Sequence, residues 1–140
     1  MRPFFLGWTR FVVALLVLQV GLAGWGTVTE GGERTMRFIA HLVNGSMLMF
    51  WLMLSVVFVL LARPGRKAVW LTVLSVVMIM AQGAFAHGFG TGGIGGGVGV
   101  ALHAANGLGI LAVQVVVARL ARRAVDAGRA PRAEGSEVPA

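Results

Sequence analysis

Cysteine is absent from this chain of 140 residues. Its absence excludes disulfides, thiolate zinc, iron–sulfur clusters and haem attached through a C-x-x-C-H motif. Carboxylates are almost as scarce: no Asp or Glu occurs from residue 34 to residue 125. That stretch therefore has no acid/base carboxylate pair, no Walker-type nucleotide site and no carboxylate-lined ion path. Charged residues make up only 12% of the chain and hydrophobic ones 57%, whereas soluble domains carry about 25% and 45–50%. The net charge of +7 is not a nucleic-acid signature, because ten of the twelve Lys/Arg sit where apolar segments end. No nucleic-acid partner is expected.

What the chain does have is four long apolar runs, 11–29, 36–62, 68–87 and 96–118. Each is long enough to cross a bilayer with some tilt. Helices satisfy their own backbone in lipid, and the alternation of a barrel strand is missing. The expected fold is all-α: a four-transmembrane-helix up-down bundle made of two repeated helix hairpins. Residues 1–123 form the membrane domain and 124–140 a disordered cytoplasmic tail. Arg34 and Arg37 are the only basic residues on one side of the four runs. This asymmetry predicts a multi-pass protein of the inner (plasma) membrane with both termini cytoplasmic. Trp8 and Trp70 then mark the inner interface and Trp25 the outer one. The first run could instead be read as a cleaved signal peptide, but cleavage would destroy the repeat that follows.

The only two Asn residues occupy the same pattern, His41-Leu-Val-Asn44-Gly45 and His103-Ala-Ala-Asn106-Gly107, with the histidines 62 positions apart. Upstream, Gln19 near the end of the first run is echoed 63 positions later by Gln82 near the end of the third. The chain thus reads as two copies of one hairpin: a helix ending in Gln and Gly, a link, and a helix opening with H-x-x-N-G. Runs two and four travel in the same direction, so His41 and His103 fall at similar depth in the outer half of the membrane. They sit on diagonal corners of a bundle whose diagonal is roughly 11–14 Å. Two inward imidazoles can meet one metal across that gap, and a porphyrin suits the plane between them. Gly45 and Gly107, one turn below each His, would admit a flat ring, and Gly21, Gly24 and Gly83 would thin the flanking helices. Asn44 and Asn106 could orient the ligands from behind. Arg37, one turn above His41, could pair with a propionate. The plainer reading is that small residues and amides simply hold the helices together.

His87 has no repeat partner and is read first as an interfacial residue. The other readings place it beside a quinone or redox membrane protein, or make it an alternative ligand. Met47, Met49, Met53, Met78 and Met80 show no ladder facing the histidines that would favour copper. The Gly-rich link after His87 lacks the Lys of a phosphate loop.

The endings Leu18-Gln19-Val20-Gly21-Leu22-Ala23-Gly24 and Ala81-Gln82-Gly83-Ala84-Phe85 resemble helix ends of heme A synthase. His41 and His103 match that family's haem-ligand histidines in helix order and approximate separation. Over roughly residues 10–122, the chain looks like one of the family's two four-helix halves. The resemblance implies a bound haem and, through a homodimer, an eight-helix layout. It does not extend to the synthase reaction. Leu42 stands where the family usually has Arg, no Glu precedes His41 within the second apolar run, 36–62, and there is no Cys pair.

The functional expectation is a b-type haem protein with bis-histidine ligation, serving electron transfer, haem handling or respiratory-complex assembly. With both axial positions filled, oxygen activation is disfavoured; any enzyme here would be a membrane oxidoreductase. The alternative is a cofactor-free four-helix scaffold or accessory subunit. A transporter is disfavoured by the lack of carboxylates and broken helices in the spans.

Overall fold

The computed structural model describes residues 1–27, 33–87 and 97–129; the side chains of 27, 33–37, 86 and 87 lie outside the described set. Every described element is a helix: α1 (Arg2–Thr27), α2 (Glu33–Ala62), α3 (Arg66–His87) and α4 (Gly97–Ala127). All four are long and apolar enough to cross a membrane. Each packs against its two neighbours around a ring, α1 on α2 and α4, and α3 on α2 and α4. Trp8 meets Ser55 while Gln19 meets His41, so α1 and α2 run antiparallel. The same holds for α3 and α4, where Ser75 meets Gln114 and Gln82 meets His103. The result is an up-down four-helix membrane bundle.

All four helices are longer than the apolar runs, α2 starting at Glu33 and α3 at Arg66, and two of them by most of two turns or more. α1 starts at Arg2 rather than near residue 11, because Phe4, Phe5, Leu6 and Trp8 extend the apolar face below Arg10. Pro3 is tolerated in this first turn, where its missing N–H costs nothing. α4 continues to Ala127, which corrects the expectation of a disordered tail from 124: Val125 is buried, and Arg122 pairs with Asp126 at 3.6 Å. The rest of that expected tail, from 130 on, lies outside the described residues. Between α2 and α3 the chain turns in three residues. Arg63 takes φ 50° and its N–H bonds the Val59 carbonyl at 3.0 Å. Pro64 cannot extend the helix. Gly65, at φ 124°, caps α3 by accepting from the Ala68 and Val69 amides. That φ suits glycine and almost nothing else.

The core follows a spacing of four and three residues, the seam of a left-handed bundle. Buried positions are Phe5, Thr9, Val12 and Leu16 on α1, and Leu48, Leu52, Ser55, Val59 and Ala62 on α2. On the second hairpin they are Ala68, Thr72 and Ser75 on α3, and Ile110, Gln114, Val117, Ala121 and Val125 on α4. These sets are copies of one another. Adding 63 to Phe5, Thr9 and Val12 gives Ala68, Thr72 and Ser75. Adding 62 to Leu48, Leu52, Ser55 and Val59 gives Ile110, Gln114, Val117 and Ala121. The internal repeat therefore reaches well beyond the H-x-x-N-G pair, into the whole inward face.

Buried hydroxyls bond to backbone within their own helix, such as Thr72 to Ala68 O at 2.8 Å, and Ser55 also accepts the Trp8 indole N–H at 2.8 Å. The outer faces carry large apolar side chains, including Leu42, Leu60, Leu61, Val77 and Met80, each about half exposed or more. Such faces are consistent with a lipid bilayer environment.

The repeat also yields a stability expectation. Gln114 donates to Ser75 at 2.8 Å, but its side-chain oxygen is buried without a partner among the described residues. The first hairpin fills the same layer with Val12 and Leu52. An unmet buried acceptor costs about 1–3 kcal/mol. Ser75→Val/Gln114→Leu should therefore leave the bundle at least as stable, by up to about 2 kcal/mol on this basis. Unfolding of the variant in mixed detergent micelles measures this, and a clear drop in stability would show that the polar pair contributes more than it costs.

Candidate functional site

The seam continues toward the far end of the bundle with the same spacing. On α2 it runs from Leu48 back to Gly45 and His41, and on α4 from Ile110 back to Gly107 and His103. On α1 and α3 it reaches Gln19 and Gln82. The bundle's geometry thus aims the chain's repeated polar residues at its axis. α2 and α4 are diagonal and do not pack on each other, yet the His41 and His103 rings meet between them. Their centroids are 6.1 Å apart and their planes are tilted by 54°.

Each imidazole is tethered across its own hairpin. His41 Nδ1 lies 3.3 Å from the main-chain oxygen of Gln19, and His103 Nδ1 lies 3.4 Å from that of Gln82. A carbonyl oxygen can only accept, so both rings carry their proton on Nδ1. With Nδ1 engaged, Nε2 is the ring nitrogen left on each side to accept a hydrogen bond or meet a metal, and that of His41 already faces the Gln19 amide at 3.2 Å.

The rest of the motif builds this tether. Asn44 Nδ2 donates to Leu15 O at 3.2 Å, and Asn106 Nδ2 donates to Met78 O at 2.8 Å. Leu15 and Met78 are 63 positions apart, so the α1–α3 register seen in the core persists here. Gly45 and Gly107 make room for the glutamines. A Cβ at Gly45 would lie 3.0 Å from Gln19 Nε2, and one at Gly107 would lie 3.1 Å from Gln82 Nε2. The space in front of both glycines is thus taken by an amide from the paired helix.

The two hairpins differ in how completely they are satisfied. In the first, the Gln19 amide donates to His41 O at 3.0 Å and to His41 Nε2 at 3.2 Å, while its oxygen accepts from Asn44 at 2.7 Å. In the second, Gln82 Oε1 is buried with no partner among the described residues. His103 Nε2 has no hydrogen-bond partner among them either.

Phe38 was not singled out by sequence. Its ring stands edge-on to His41, with centroids 6.4 Å apart, and it packs on Gly26, where a Cβ would come within 3.3 Å. Val100 occupies the matching position of the second hairpin, so the repeat gives no signal for it. Gly21, Gly24 and Gly83 have open space in front of them. The side chains of Arg37 and His87 lie outside the described residues, as does most of the Gly-rich link.

The donor set can be tested against a metal. Among the described residues no group of three His, Cys, Asp or Glu comes together. An ion at His41 and His103 would take its remaining ligands from elsewhere, as iron does from a porphyrin. Two metal–nitrogen bonds of about 2.0–2.1 Å on opposite sides of one ion place imidazole centroids roughly 6 Å apart. The observed centroid separation leaves room for one ion between the rings, which His41 would meet by giving up the Gln19 amide at its Nε2. Compared with known proteins, the chain matches no family model, no curated sequence and no solved structure.

Proposed function

We propose that this chain is an integral membrane protein that holds one b-type haem between His41 and His103. The observation that carries the proposal is the diagonal pair of imidazoles, with centroids 6.1 Å apart and each turned by a backbone tether. The haem would supply one-electron redox chemistry when bound. The protein's part is to present two imidazoles, hold Nδ1 of each on the Gln19 and Gln82 carbonyls, and surround the rings with apolar helix. Were both histidines to hold the iron, electron transfer, haem handling or assembly of a respiratory complex would fit better than oxygen activation. A quinone or a redox membrane protein is the proposed partner at the His87 end. The Lys/Arg asymmetry supports an inner-membrane location with cytoplasmic termini.

The test is a hemin titration of the full chain in detergent. One equivalent should bind and give a Soret band distinct from that of free hemin. A flat titration overturns the proposal.

The closed hydrogen-bond network of the first hairpin favours a second reading, a cofactor-free scaffold. There Gln19, His41 and Asn44 are already paired with one another and with backbone. On that reading His41→Ala/His103→Ala would keep partner association whether or not haem is supplied.

A further inference from the structure

The internal repeat is a control for every surface position, because what the fold requires should appear twice. The groove between α1 and α4 at the termini end fails that comparison. It has a volume of about 270 Å³, and its lining includes Arg10, Arg119 and Arg122 over Val13, Val115 and Ala118. The repeat carries Arg10 onto Val73, Arg119 onto Val57 and Arg122 onto Leu60, on the faces of α3 and α2. Val57 and Leu60 are exposed apolar side chains. The fold therefore does not need cations here, yet three converge on one groove.

Their depth is informative. Arg10 is eight residues in from the start of α1 and Arg119 eight residues in from the end of α4, about 12 Å along each helix. Arg10 and Arg119 are the charges that directly flank the uninterrupted apolar runs 11–29 and 96–118, within reach of a lipid phosphate. Arg122 shares an exposed pair with Asp126, a contact of little energetic weight that leaves its remaining N–H groups available. Guanidinium groups bind phosphate through paired donors, and basic sites between membrane helices suit anionic headgroups. The apolar wall beside them suits an acyl chain and offers nothing to a free phosphate. A partner helix would have to bring its own anions into this wall.

We propose that the α1–α4 groove binds one anionic phospholipid of the leaflet at the termini, its phosphate on Arg10, Arg119 and Arg122 and a chain along Val13, Val115 and Ala118. The test uses the full chain, delipidated in detergent and offered equimolar phosphatidylglycerol and phosphatidylcholine, with retained lipid read by native mass spectrometry. One phosphatidylglycerol should be retained in preference. Removing each groove arginine should weaken that preference about fivefold at low salt, and Arg10→Gln/Arg119→Gln/Arg122→Gln should abolish it. Arg66→Gln/Lys67→Gln, at the turn on the same end, should leave it intact. Ala118→Trp keeps every charge but fills the groove, and should also release the lipid, so the proposal is testable even if the triple variant does not fold. Equal retention by wild type, the Ala118→Trp variant and the arginine variants would overturn the site. Displacement by millimolar inorganic phosphate would overturn the lipid as its occupant.

Discussion

Replacing both histidines, His41→Ala/His103→Ala, should abolish haem binding while leaving the helical bundle assembled. The loss should be nearly complete, because the two Nε2 atoms are the only side-chain ligands the proposed site offers among the described residues. Either single variant should retain haem far more weakly, with iron held from one side only. The bundle should survive because its core lies along a seam that starts two turns from the histidines, at Leu48 and Ile110. Each substitution removes one tether to a main-chain oxygen, and a hydrogen bond of that type contributes about 0.5–1.5 kcal/mol net. Absorbance in detergent and far-ultraviolet circular dichroism separate the two effects. A double variant that binds haem as wild type does would move the site elsewhere.

The second large effect concerns stability. Gly45→Leu should be the most destabilising single change in the half of the bundle that holds the histidines. A Cβ there already crowds Gln19 Nε2 at 3.0 Å, and that amide cannot withdraw freely. It is held by the oxygen and Nε2 of His41, and its own oxygen is held by Asn44. Overpacking costs about 1–3 kcal/mol, and each broken bond adds about 0.5–1.5 kcal/mol. Gly107→Leu meets Gln82 at nearly the same distance, but no comparable set of bonds holds the Gln82 amide. Its cost should be the smaller of the two. Unfolding midpoints of both variants in the same detergent give the comparison. An equal loss, or a larger one for Gly107→Leu, would show that the closed network around Gln19 adds nothing.

Much of this architecture was legible in the sequence for a simple reason. In lipid only closed hydrogen-bonding structures survive, so four carboxylate-poor apolar runs leave few folds to consider. The repeat was legible because its polar members are the rarest residues of the spans. His41 and His103 were matched by pattern alone, and their place on the inward seam follows from the spacing to Leu48 and Ile110. The tethers were not legible. Main-chain oxygens of Leu15, Gln19, Met78 and Gln82 leave no trace in residue identity. The glutamines pair across each hairpin, and only the packing reveals that Gly45 and Gly107 clear space for them. Gln114 escaped notice because its counterpart is Leu52, so the repeat conceals the position rather than marking it. Helix α1 was read as too short because Arg10 interrupts its apolar run, although the seam at Phe5 and Thr9 continues on the other side of it.

The central claim is that His41 and His103 grip one iron from opposite sides. Electron paramagnetic resonance of the ferric, haem-loaded full chain tests it most directly. Two imidazole ligands should give a low-spin signal that turns high-spin in His41→Ala and in His103→Ala. A high-spin signal from the wild-type protein, or a low-spin signal that survives either substitution, would contradict it.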